Sequence, residues 1–180
     1  MRLRKGRPGP LLSCALALSG ASLVAAAWTG TSWYAAAHDE RASYAALRDQ
    51  VLAAGEQGAQ NLNTLDHRAL DRDLDTWGES TAGELHTQVT EGREEFARQI
   101  REARTVTTAK VLSGAVTELD SRAGRAKVLV ALRITVTAPK SEPSAKESRL
   151  LGEVTRTGGG WKLSALGEAP VGYSTGTAGE

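Results

Sequence analysis

The sequence predicts an α+β domain, its helices packed on one face of a curved antiparallel sheet, carried outside a membrane on a single N-terminal helix. Three observations predict it. A basic cluster is followed by a long uncharged stretch, apolar residues then recur at helical spacing up to Ala103, and strict alternation takes over after it. Helices followed by a run of strands are the pattern of segregated α+β architectures.

Arg2, Arg4, Lys5 and Arg7 precede a stretch with no Asp, Glu, Lys or Arg between Pro8 and Ala37. As a helix, Leu11 to Tyr34 would be roughly 36 Å long, enough for a hydrocarbon core of about 30 Å. Basic residues stay on the cytoplasmic side, so the chain should enter from inside and continue outside, with Trp28, Trp33 and Tyr34 at the outer interface. A cleaved signal peptide ending near Ala25, Ala26 and Ala27 is the alternative, but the uncharged run and its aromatics extend well beyond that point. The organisation expected is a cytoplasmic basic tail over residues 1–9, a transmembrane helix over 10–34, a stalk helix over 35–60, an extracytoplasmic domain over 61–168 and a disordered tail over 169–180.

Of 22 Lys and Arg, four lie in the first seven residues, leaving 18 against 21 Asp and Glu outside. That balance argues against a nucleic-acid partner, which requires a concentrated basic face. Cys14 is the single cysteine and lies in the predicted span, so the exported part has no disulfide and must rest on its apolar core. A domain of this size can do so.

In the stalk, Tyr44, Leu47, Val51 and Ala54 form a stripe too short for a coiled coil, so packing against its own domain is expected. Leu70, Leu74 and Trp77 predict a helix over 67–78 with Asp66 as N-cap and Gly78 near its end. Thr81-Ala82-Gly83-Glu84 matches a capping box, and Leu85, Val89, Gly92, Phe96, Ile100 and Ala103 extend one continuous stripe behind it. Thr105 to Glu118 reads as a Val/Thr-rich strand facing inward through Val106, Leu112 and Val116. After a turn at Asp120 to Gly124, Val128, Val130, Leu132, Ile134 and Val136 alternate in a second strand over Lys127 to Thr137. A loop over 138–146 leads to a third strand over Glu147 to Arg156. Gly158-Gly159-Gly160 turns into a fourth, starting at Trp161.

The order of these elements resembles a known family. Asn61-Leu62-Asn63-Thr64-Leu65-Asp66 after an Ala-rich helix, Thr81-Ala82-Gly83-Glu84-Leu85 opening a helix, the strand around Val106, the strand Lys127 to Thr137 and Gly160-Trp161-Lys162-Leu163 are together similar to the actinobacterial Mce-associated membrane proteins. The resemblance implies an NTF2-like cone on a single-pass anchor, similar in layout to the periplasmic scaffold subunits of type IV secretion systems. It further implies association with Mce transporter subunits in lipid or sterol import, in an accessory role that carries no catalytic residues.

The residues themselves point to no catalysis. A ketosteroid-isomerase-like cone needs an ionisable pair inside, and the inward strand faces carry none. Asp66 and His67 sit together at a helix start, where a cap explains the acid. His38, His67 and His86 lack zinc-ligand spacing. No cofactor, metal or catalytic residue is expected. Phe96, Ile100, Val130, Leu132, Ile134 and Trp161 are the candidate lining of an apolar pocket for a lipid or sterol chain, although the same residues would suit solid packing, which is the rule in interiors.

Overall fold

The computed structural model describes residues 41–170; the predicted basic tail, the span over 10–34, the first residues of the predicted stalk and residues 171–180 lie outside them. The chain divides into two compact units, Met1–Ala46 and Leu47–Glu180. Among the described residues no helix is long and apolar enough to cross a membrane. Helix α1 spans residues 41–62.

The second unit continues with β1 (Leu65–Asp66), α2 (Leu70–Ser80), α3 (Gly83–Glu91), α4 (Arg93–Ala103), β2 (Val106–Asp120), β3 (Arg125–Thr137), β4 (Ser144–Thr157) and β5 (Gly160–Glu168). The five strands form one antiparallel sheet in chain order. The loop predicted over 138–146 is shorter than expected, because β4 already pairs with β3 at Ser144.

Period-two alternation makes β3 the centre of the core, with Ala126, Val128, Val130, Leu132 and Ile134 buried while their neighbours face outward. Val136 leaves the core and is exposed. β4 contributes Leu150 and Val154, and β5 contributes Leu163. In β2 the predicted inward set of Val106, Leu112 and Val116 is corrected. Register shifts between Val111 and Ser113 and between Val116 and Glu118 each insert one residue. An inserted residue reverses the facing of everything after it. Ala109 and Val111 therefore point inward before the first shift, Val116 after it and Leu119 after the second, while Leu112 is 42% exposed.

Helix α1 lies directly on this sheet. Val51, Gly55, Gly58 and Ala59 are buried along one face, and Val51 and Ala59 join the cluster of Val128, Val130, Leu132, Val154 and Leu163. A Cβ at Gly55 would stand 2.6 Å from Val128 Cγ2, so the helix backbone rests on β3 with no room for a side chain. This part of α1 thus packs against its own domain, as the stripe predicts, and the compact unit that holds the sheet begins at Leu47.

Two cap assignments also change. Ala69, not Asp66, precedes α2, and α3 begins after Ala82 with no side-chain cap. Thr81 turns backward instead. Its Oγ1 donates to the Trp77 carbonyl at 2.9 Å, and the residue is 2% exposed. The Ala82 N–H donates to the Leu163 carbonyl at 2.8 Å, stitching the α2–α3 link to the edge of β5. The single long stripe from Leu85 to Ala103 is broken at Gly92 into two helices.

Candidate functional site

The six residues expected to line one pocket fall into two separate clusters. Val130, Leu132 and Ile134 belong to the sheet cluster, with Trp161 packed at its margin. Phe96 and Ile100 pack instead on Leu65, Leu70, Leu74 and Ala97 under the short helices. Val130 and Leu132 have no exposed surface. Val51 and Ala59 of α1 share their cluster, and Phe96 and Ile100 of α4 belong to the other. The predicted single lining is therefore corrected. Trp161 lies under the Arg156 guanidinium, 5.2 Å from its ring centre, and forms a rim contact.

The segment Asn61–Asp66 is the junction between the two clusters: Leu62 packs on the sheet cluster, and the other five residues are tied down too. Asn61 Nδ2 donates to Ser80 Oγ at 2.6 Å, and Asn63 Nδ2 to the Ala59 carbonyl at 2.8 Å. Thr64 Oγ1 donates to the Gln60 carbonyl at 2.8 Å and accepts from the Ala109 N–H at 3.2 Å. The Thr64 carbonyl accepts from Trp77 Nε1 at 3.3 Å, and the Asp66 N–H donates to Asp73 Oδ2 at 2.8 Å. Leu65 is buried between them. The short polar side chains close the last turn of α1 and join it to β2 and α2, while Leu65 pins β1 against the helices.

Electrostatics at this junction centre on Asp66. Its carboxylate accepts from the Arg68 side chain at 2.7 Å and from the Arg68 backbone N–H at 2.9 Å. The Arg68 hydrogen bonds hold its pKa down at about 2, against an ordinary 3.8. His67 Nδ1 lies 3.6 Å from Asp66 Oδ1, beyond hydrogen-bond reach. Because folding lowers this pKa, the contribution to stability is complete above about pH 4 and is lost as pH falls through about 2. Asp66→Asn is therefore expected to flatten the acid limb of a urea-midpoint titration between about pH 4 and 2, with midpoints measured in parallel on the unmodified protein. An unchanged acid limb would contradict the pairing.

An apolar groove lies between α2, α3 and α4. Leu74 and Trp77 of α2, Leu85 and Val89 of α3, and Phe96 of α4 line a groove of about 270 Å³. The Trp77 and Phe96 rings are 5.2 Å apart and tilted by 38°, a favourable offset for two aromatic rings. Gly92, at the break between α3 and α4, lies in the lining of the groove. A glycine inside the predicted stripe was the signal that could have located it. Across the helices, Arg93 pairs with Asp75 at 2.7 Å and Arg101 with Asp71 at 3.0 Å, holding α4 to α2. Among the described residues, no group of three or more His, Cys, Asp or Glu side chains is placed to hold a metal ion. An apolar wall with aromatic edges suits an aliphatic chain or a nonpolar side chain.

In its fold, helices over one face of an antiparallel sheet, the domain is similar to several solved structures. Among solved structures, the chain is similar to an IcmL-like type IV secretion system protein from Legionella pneumophila, with a TM-score of 0.55 and 8% identity, covering 69% of this chain and 94% of that one. It is similar also to CagV, a VirB8 homolog from Helicobacter pylori (TM-score 0.52, 13% identity, 69% and 99% covered), and to the periplasmic domain of DotI (TM-score 0.52, 18% identity, 67% and 94% covered). At these identities the likeness is one of fold. A search of curated protein sequences finds no match. The profile of the family described as uncharacterized protein Rv1363c/MT1408-like matches residues 13–170, nearly the whole sequence, and the chain belongs to this actinobacterial family.

Proposed function

We propose that this protein is a membrane-anchored extracytoplasmic scaffold, a non-enzymatic accessory of an Mce-type lipid or sterol import system. The observation that carries the reading is a sheet interior filled by α1, with Val51, Val128, Val130, Leu132 and Leu163 fully buried. Such an interior offers surface, not a reaction chamber. The uncharged stretch over residues 10–34 supports a single-pass anchor with the N-terminus in the cytoplasm and the domain outside. The fold supports the same placement, because one solved neighbour is itself named as a periplasmic domain and others as type IV secretion proteins. The Mce partnership rests on the resemblance carried by Asn61–Asp66 and the elements after it. In this scheme the span fixes location and the domain presents a protein-binding surface. Affinity purification of the tagged full chain from native membranes, read by mass spectrometry, is expected to recover Mce or permease subunits. Their consistent absence would overturn the partnership.

A second reading is an extracytoplasmic module that holds a hydrophobic ligand. The groove between Trp77, Val89 and Phe96 favours it, rather than the cone interior. At about 270 Å³ the groove is near the lower end of ligand sites, enough for part of an acyl chain.

A further inference from the structure

The outer face of the sheet, opposite α1, is organised in rows across the strands. Ala115, Leu129, Leu151 and Gly167 are paired in register and form an uncharged central row. On one side lies the row Glu118, Lys127 and Glu153. On the other lie Ser113, Ala131 and Arg149, followed by Lys110, Arg133 and Glu147. Leu151 is 37% exposed, and Leu112, released outward by the first bulge, is 42% exposed beside Ala131. Apolar side chains thus occupy the middle of an open sheet face.

The charges are arranged unequally about that middle. Lys127 pairs with Glu118 at 2.9 Å, and this pairing, with Glu153 also near, raises the lysine pKa. Within that row Glu153 is left in surplus, and the next row out carries Asp120, Arg125 and Lys162. Arg133 pairs with Glu147 at 2.7 Å, leaving Lys110 and Arg149 in surplus on the other; neither forms an ion pair among the described residues. Arg149 and Glu153 stand two residues either side of Leu151 on the same strand, facing the same way.

We propose that this face binds the same face of a second copy of the chain, about a two-fold axis running along the Leu129–Leu151 row. A two-fold contact is self-complementary: each patch meets its own copy in the opposite sense. Rotation about that row reverses the strand direction and keeps β4 over β4. Leu151 then meets the partner copy's Leu151, and Arg149 of each copy meets Glu153 of the other. Farther out, Lys110 comes over Asp120. Arg133 comes over Arg125 at the rim, where Glu147 already neutralises it. Sheets pack face to face in this way with side chains about 10 Å deep between them. The inference does not depend on the functional reading above.

The test uses the full chain in detergent micelles, with Cys14→Ser as background. Leu151→Cys is expected to form a disulfide-linked dimer under mild oxidation, whereas Thr90→Cys on α3 should not. Sedimentation equilibrium of the cysteine-free chain is expected to show a dimer that Arg149→Glu or Glu153→Arg each weakens about tenfold. The double reversal Arg149→Glu with Glu153→Arg should return affinity to within about threefold of the starting protein. These exposed positions leave folding intact, which circular dichroism would register. A monomer at every concentration, or a dimer indifferent to both reversals and uncrosslinked at position 151, would overturn the proposal.

Discussion

Leu163→Ala is expected to cost the domain about 2–5 kcal/mol, the range for truncating a fully buried leucine. The residue has no exposed surface; its side chain meets α1 and β4, and its backbone the α2–α3 link. Its Cβ stands 3.2 Å from where a side chain at Gly58 of α1 would begin, and its Cδ1 stands 2.9 Å from the corresponding point at Gly152 of β4. Its carbonyl also receives the Ala82 N–H, so the backbone beneath the side chain is fixed to the α2–α3 link. Glycines on both sides have no side chains that could swing into the void, and a cavity that cannot collapse keeps its full cost. Domains of this size are stable by only about 5–15 kcal/mol, so the loss is a large fraction of the whole. Urea denaturation should show a lower midpoint at unchanged slope, with a melting temperature down on the order of 10 °C. A shift below about 1 kcal/mol would mean that Leu163 is not the joint between α1 and the sheet.

How far the fold could be read from the sequence depended on whether packing or local pattern decided each element. β3 was legible because Val128, Val130, Leu132 and Ile134 alternate without interruption and all are buried. β2 was legible as a strand, but its facing was not. A bulge carries no compositional signature, and the first of the two turned Leu112 outward. The buried stripe of α1 was half missed because Gly55, Gly58 and Ala59 present almost no apolar side chain. Their burial comes from the backbone approaching β3 and β5 closely, which hydropathy does not record. Thr81 and Asp66 matched cap patterns, yet other neighbours along the chain claimed both. Thr81 bonds back to Trp77, and Asp66 is held by Arg68 and, through its backbone N–H, by Asp73. For the candidate site, spacing told that Phe96 and Ile100 would be covered but not by what. They sit on α4, beyond the break at Gly92, and pack in the helix cluster.

The close approach of α1 makes the second large effect, and its sign opposes local propensity. In a helix interior, replacing glycine by alanine normally gains about 1 kcal/mol. At Gly55 the added Cβ would lie 2.6, 3.1 and 3.2 Å from the Cγ2, Cγ1 and Cβ of Val128. Valine is stiff about its first torsion, and Val128 is fully buried with its Cγ2 also close to Gly152, so it has no rotamer to retreat into. The helix must lift from the sheet instead, and overpacking of that kind costs about 1–3 kcal/mol. Gly55→Ala is therefore expected to destabilise despite its better propensity, and Gly55→Leu to do so more severely. Gly114 gives the contrast. There the atoms in the way belong to the flexible Glu56 side chain, which can swing aside. The decisive measurement is a double-mutant cycle by chemical denaturation. Val128→Ala removes the methyl groups that the new Cβ meets, so Gly55→Ala should cost far less in that background than alone, a coupling of about 1 kcal/mol or more. If Gly55→Ala instead raised stability in the unmodified background, α1 would not be seated on β3, and the filled interior on which the scaffold reading rests would go with it.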